Sequence, residues 1–128
     1  MNIEALKKAR DCLAESKTYD QSSWTHPCGS PACVAGHIVA ANGYEITKIP
    51  GKRVDAGCYV IMDGDACSID VAAAVIAGLE IGQAGEMFSG NPYVTSCAEV
   101  QEPVTKEEAL SMLDHAIEHD EVKWPERA

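Results

Sequence analysis

The chain is poor in aromatic side chains and has no long apolar run. Aromatic residues make up 5% of its 128 residues, so aliphatic and other small side chains must fill most of the interior. No stretch approaches the roughly 20 apolar residues of a transmembrane helix. The first residues, MNIEALKKARDCL, also lack the apolar run of a signal peptide. We therefore expect a soluble cytoplasmic protein whose six cysteines are thiols in a reducing compartment.

Basic residues are scarce as well. The chain carries 10 Lys and Arg against 20 Asp and Glu, a formal net charge of −10. Proteins that bind a nucleic-acid backbone need a basic surface, so direct nucleic-acid binding is disfavoured. An acidic surface favours solubility or, as the alternative, contact with a basic partner. We expect no membrane association and no cofactor.

What is present predicts a compact, mainly α fold in a single domain, 1–128, with about five helices and one short β-hairpin. Apolar residues amount to 46%, enough for a folded core. The first helix shows an apolar stripe that includes Leu6 and Leu13 and ends near Ser16. Asp63-Gly64 is a two-residue turn signal between two short strands. Thr105 and Glu108 form a capping box that begins the last helix.

Two further helices are predicted to be apolar on every side. Ser30-Pro31 reads as a helix start, and the following helix, 31–41, stops at Asn42-Gly43. A second apolar helix covers 71–79, capped by Ser68 or Asp70. Because a helix that is apolar all round is normally buried, we expect the helix at 31–41 to be a core helix. A short amphipathic helix over 82–88 should follow, and Val122 and Trp124 are expected to fold back on the core.

The segment Trp24 to Tyr44, WTHPCGSPACVAGHIVAANGY, contains the densest set of motifs. Within it the residues Trp24, Cys28-Gly29-Ser30, Ala32-Cys33 and Ala35-Gly36-His37 resemble a W…CGT-x-AC-x-AG-[WH] signature of small bacterial and phage proteins of unknown function. The likeness extends to Tyr19-Asp20, to Val75–Leu79 with Gln83-Ala84 and Met87-Phe88, and to Leu110–Trp124. Ser30 stands where the signature has Thr, and Ala77 where it has a larger aliphatic residue. The resemblance implies a mostly helical domain and supplies no activity.

Zinc binding is the first chemical hypothesis for this segment. Cys28, Cys33 and His37, with His26, form a two-cysteine, two-histidine set, and Cys33 and His37 are four residues apart on a helix. The spacing of the cysteines is looser than in usual zinc knuckles, and the signature also allows Trp in place of His37. The alternative is a structural motif in which Trp24, Cys28, Gly29, Cys33, Ala35, Gly36 and His37 hold a loop against a buried helix.

A thiol nucleophile is the second hypothesis. Cys33 falls in the predicted first turn of a helix, where unpaired N–H groups lower a thiol pKa. A cysteine hydrolase also needs a base held by a third group, and His115 and His119 are candidates only by elimination.

Three weaker metal patterns complete the chemical candidates. His115 to His119 matches H-x-x-E-H, a metalloprotease pattern, but helix geometry turns both histidines to solvent. Asp63, Asp65 and Asp70 only faintly resemble a calcium loop. Cys58, Cys67 and Cys97 around the hairpin contain no closely spaced pair.

The last candidate is a surface. Glu107, Glu108, Asp114, Glu118 and Glu121 line the final helix as a candidate acidic interaction face. Such a face fits a basic host protein, and it is equally common on ordinary solvated helices. The sequence therefore predicts a small non-enzymatic protein that acts through protein–protein contact, as a phage or mobile-element accessory or anti-defence factor.

Overall fold

A computed structural model of the chain describes residues 1–21, 31–48, 58–88, 92–93 and 102–127. Within them lie five helices and three short strands. The elements are α1 (Ile3–Glu15), α2 (Val34–Ala41), β1 (Thr47–Lys48), β2 (Cys58–Met62), β3 (Asp65–Cys67), α3 (Ile69–Ala77), α4 (Ile81–Phe88) and α5 (Lys106–His119). The mainly α fold with a short β-hairpin is confirmed.

Helix α1 packs against α2 and α5. The Asn2 side chain caps its start by accepting a hydrogen bond from the amide of Ala5 at 3.2 Å. Small and aliphatic residues at helical spacing form its buried face: Ala5, Leu6, Ala9 and Leu13. The apolar stripe predicted for this helix is therefore its core-facing side.

Helix α2 begins at Val34, three residues later than the predicted Pro31. Cys33 is the N-cap in extended conformation, and its sulfur accepts a hydrogen bond from the amide of Gly36 at 3.3 Å. The prediction that the helix starts at Ser30-Pro31 is wrong because Cys33 occupies the cap position, and Ala32 just before it accepts a hydrogen bond from the Asp20 amide at 2.9 Å. Gly43, with φ +89°, ends the helix as predicted.

The hairpin turns at Asp63-Gly64, whose φ angles of +51° and +87° are those of a type I′ turn. Val60 pairs with Cys67 across its two antiparallel strands. Strand β1 adds to the other edge of β2, so the strand order is β1-β2-β3. Helix α3 then packs against β2 and α2.

Helix α3 is apolar except for Asp70 and is buried on only one side. Its core side consists of Ile69, Ala72, Ala73 and Ala77. Val71 and Val75, on the opposite side, are exposed. This one-sided burial differs from that of α2, whose residues 34–39 are all buried as predicted. Gly78, with φ +66°, ends α3 and lets the chain turn into α4.

The capping box of α5 is present as predicted. The Thr105 hydroxyl accepts from the Glu108 amide at 3.1 Å, and the Glu108 carboxylate accepts from the Thr105 amide at 3.0 Å. Beyond the helix, Val122 joins the core and Trp124 packs against it. Across the described ranges, no single helix is both long and apolar enough to cross a membrane.

Candidate functional site

The start of α2 is held by the side chain of Gln21, which no sequence motif marks. Gln21 is 6% exposed, and its Oε1 accepts hydrogen bonds from the Val34 amide and the Tyr19 hydroxyl, both at 3.1 Å. Its Nε2 donates to the carbonyl oxygen of Met87 in α4 at 3.2 Å. One amide side chain thus satisfies an otherwise free helix-start donor and ties α2 to α4. Nothing in the sequence distinguishes Gln21 from its polar neighbours.

Cys33 is positioned to cap a helix and not to react. Its side chain is buried, and burial raises the pKa of the thiol to about 11 even though amide donors of Gly36 and Ala35 pull it down. The helix start therefore does not activate this thiol. A group with so high a pKa is protonated near neutral pH, and a thiol is a weak nucleophile.

His37 is completely buried. Its Nδ1 lies 2.7 Å from the carbonyl oxygen of Cys33, and because a carbonyl only accepts, Nδ1 carries the proton. Burial lowers the pKa of the ring, which keeps it neutral with a lone pair on Nε2. Among the described residues, Nε2 has no hydrogen-bond partner. The Tyr19 ring lies 6.4 Å away, centroid to centroid, at a tilt of 47°.

Of the candidate zinc ligands, Cys33 and His37 lie in the part of the chain that the structure describes. Trp24, His26, Cys28 and Gly29 lie outside the described residues. Cys33 and His37 lie one turn apart, while Ala35 and Gly36 are buried between them. Across the described part of the chain, no three His, Cys, Asp or Glu side chains are grouped as metal ligands. The set of Cys28, Cys33 and His37 stays a prediction.

The other metal patterns lie in described regions with one exception. The His115 and His119 rings stack at 4.5 Å, and His115 Nε2 lies 3.0 Å from a carboxylate oxygen of Glu121. Cys58 and Cys67 lie diagonally across the hairpin, since Cys67 pairs with Val60, and neither is in a disulfide. Cys97 lies outside the described residues. Asp63 belongs to the hairpin turn, Asp65 begins β3, and Asp70 lies in the first turn of α3.

Most carboxylates of the candidate acidic face already lie beside an arginine or a histidine. Glu108 binds the Arg127 guanidinium through two contacts of 2.7 and 2.8 Å, and hydrogen bonds from Arg127 lower the pKa of Glu108 to about 2. Asp114 accepts from Arg10 at 2.9 Å, and Glu121 pairs with His115. Glu118 lies 3.9 Å from His119, and Glu107 is exposed. These contacts reduce the charge that the face offers to a partner.

A groove of about 880 Å³ lies between α4 and the C-terminal segment. The Tyr93 hydroxyl donates to the Pro125 carbonyl at 2.6 Å, and Arg127 covers the Tyr93 ring at 3.9 Å. Trp124 Nε1–H donates to the Glu86 carbonyl at 2.8 Å. These polar groups act in tethering the segment to the fold.

The second groove lies between α3 and α4 and is almost wholly apolar. It has a volume of about 570 Å³. Its described lining residues are Asp70, Val71, Ala74, Val75, Leu79, Ile81, Ala84, Gly85 and Phe88. We call this set the α3–α4 groove. Val71 is 51%, Val75 64% and Ile81 95% exposed, so large aliphatic side chains of two adjacent helices meet solvent together.

Comparison with known proteins adds no relative to this geometry. No protein-family model, no curated protein and no solved structure matches the chain.

Proposed function

We propose that this protein catalyses no reaction and acts by binding another protein through the α3–α4 groove. The observation that carries the proposal is the joint exposure of Val71, Val75 and Ile81. Single exposed aliphatic residues are ordinary, whereas a contiguous apolar surface on adjacent elements is typical of an interaction site.

The state of the two chemically versatile groups at α2 supports a non-enzymatic function. The Cys33 thiol is buried with a raised pKa, and it uses its sulfur to cap a helix. The one proton of the neutral His37 ring is donated to the backbone of the same helix. Both groups therefore stabilise the junction, which argues against a hydrolase with Cys33 as nucleophile.

The biological setting that we propose follows from the resemblance to small bacterial and phage proteins. An accessory or anti-defence factor of mobile DNA would act inside the cell on a host protein. The candidate acidic face supports this proposal less strongly than the groove does, because Arg127 pairs with Glu108 and Arg10 pairs with Asp114.

Affinity capture from the producing cells tests the groove. The variant carries Val75→Ser and Ile81→Ser, and the matched control carries Ile61→Ser, an exposed aliphatic position on β2 outside the groove. Circular dichroism checks that all three proteins are folded. We expect a protein that is retained by the unmodified chain and by the control and lost from the groove variant. Equal retention by all three would contradict the proposal.

Zinc binding is the second candidate, supported by the buried lone pair of His37 Nε2. A site built from Cys28, Cys33 and His37 would require a deprotonated Cys33. Elemental analysis of the purified protein tests it. Stoichiometric zinc that is lost in the Cys28→Ser variant would establish the site. A folded protein that contains no metal would rule the site out.

A further inference from the structure

We infer that the α3–α4 groove takes the apolar side of a basic amphipathic helix that belongs to a different protein. This inference rests on the proposed function and specifies the chemistry of the partner. It follows from the shape of the groove and from the charges around it. The same charges disfavour other occupants.

The shape suits a helix. Helix α3 has nine residues, which corresponds to a length of about 13.5 Å. The chain turns by 117° between α3 and α4, so the two helices form the walls of an angle and not a flat surface. Anchors at positions i, i+4 and i+7 of a bound helix span about 10.5 Å. Val71 and Val75 are themselves four residues apart on α3, about 6 Å along its axis, which is the spacing of anchors i and i+4.

The charges select a basic partner. Between residues 58 and 88 there is no Lys, Arg or His, while five carboxylates occur: Asp63, Asp65, Asp70, Glu80 and Glu86. Asp70 lines the groove itself, and Glu80 lies in the connection between its two helices. Among the described residues, Asp70, Glu80 and Glu86 form no ion pair. Their field therefore attracts cations that flank an apolar stripe.

The same charges argue against two other occupants. A second copy of this chain seated on the groove would place one set of carboxylates against another, and the net charge of −10 adds to this repulsion. Surfaces that lie on anionic membranes combine apolar residues with Lys and Arg, and residues 58–88 contain neither. A basic protein helix meets both requirements of the groove.

Synthetic peptides of about 18 residues provide the probe. The first peptide carries Leu at positions i, i+4 and i+7, flanked by Lys; the second replaces each Lys by Glu; the third scrambles the first at equal charge. Binding is followed by fluorescence anisotropy with the full chain. We expect the Leu/Lys peptide to bind at least about tenfold more tightly than either of the others. Its affinity should fall as NaCl rises from about 50 mM to about 500 mM.

Variants locate the binding. Val75→Ser with Ile81→Ser should weaken the Leu/Lys peptide by more than about tenfold, because apolar burial is lost. Asp70→Asn with Glu80→Gln should weaken it and reduce its salt dependence, whereas the control Glu107→Gln with Glu118→Gln on α5 should leave both unchanged. Circular dichroism confirms that each variant is folded.

Several results would overturn the inference. These are equal binding of the Lys and Glu peptides, equal binding of the scrambled peptide, absence of binding, and undiminished binding to the groove variant. A dimer that Ile81→Ser dissociates in sedimentation experiments would instead assign the groove to a second copy. Binding to phosphatidylglycerol vesicles that the groove variant loses would assign it to lipid. If the peptides fail while affinity capture still depends on the groove, the proposed function stands without this partner chemistry.

Discussion

The imidazole Nδ1 of His37 lies 2.7 Å from the carbonyl oxygen of Cys33, one turn earlier in the chain. The same carbonyl also accepts the backbone amide of His37 at 3.0 Å. The backbone amide and the ring of His37 therefore share one acceptor, the carbonyl of the N-cap residue Cys33. This shared acceptor couples the protonation state of His37 to the start of α2.

His37 should make the stability of the protein depend on pH. Burial lowers the pKa of the folded-state ring below its ordinary value of 6.5, so the unfolded chain takes up a proton first as the pH falls. Stability is then lost below about pH 6.5 and stops changing once the pH is below the lower folded-state pKa. Urea denaturation at several pH values measures this slope. The His37→Gln variant should lose the part of the pH dependence that comes from His37. The control His119→Gln, at an exposed position, should keep that part. An unchanged slope in His37→Gln would contradict the assignment.

Cys33 should react slowly with iodoacetamide. With a pKa of about 11, the thiolate fraction at pH 7 is about 10⁻⁴, and burial adds a steric barrier. We expect mass spectrometry of the native protein to show labelling of Cys67, which is only half-buried, before Cys33. Unfolding in urea should equalise the two rates. Rapid and selective labelling of Cys33 below pH 7 would instead support a nucleophile.

Gly36→Leu should unfold the protein. Gly36 is buried within α2, and α2 packs against both α1 and α3, so four added carbon atoms would overpack the core. Thermal melting followed by circular dichroism measures the effect. The matched control is Gly82→Ala in α4, where an added Cβ has nothing within 4 Å and a stabilisation of about 0.5 kcal/mol is expected. An unchanged melting temperature for Gly36→Leu would contradict the buried-helix interpretation.

Glu108→Gln should destabilise the protein by about 1 kcal/mol, because the carboxylate caps α5 and binds Arg127. Hydrogen bonds from Arg127 lower the pKa of Glu108 to about 2. Its contribution is therefore present above the ordinary glutamate pKa of 4.5 and is lost as the pH falls towards 2. Urea denaturation should show the difference between the two proteins narrowing over that range. Glu107→Gln, an exposed neighbour, should change stability by less than about 0.5 kcal/mol.

The sequence predicted those caps and turns that are formed by residues close together in the chain. The capping box of Thr105 and Glu108, the Asp63-Gly64 turn and the Gly43 helix end each depend on residues a few positions apart. Their backbone preferences act before any tertiary contact forms. The Ser30-Pro31 signal did not set the start of α2, which begins at Val34, where a side chain thirteen residues earlier, Gln21, accepts the Val34 amide.

Long-range contacts decided what the sequence could not. Arg10 meets Asp114 across the α1–α5 contact, and Arg127 reaches back to Glu108; no local pattern marks either pair. These contacts pair part of a row of acidic residues with arginines of the same chain. The tertiary structure therefore altered the charge of the surface without changing a helix.

The amino-acid order alone determined that the chain is mainly helical, acidic and built around small side chains, because periodicity and composition act residue by residue. Only the tertiary structure decided that α2 is enclosed while α3, equally apolar, faces solvent with Val71 and Val75. Periodicity can show that a helix lacks a polar side, but burial depends on how many neighbouring elements pack against it. Helix α2 is covered on all its sides, whereas the outer side of α3 is left as one wall of the groove.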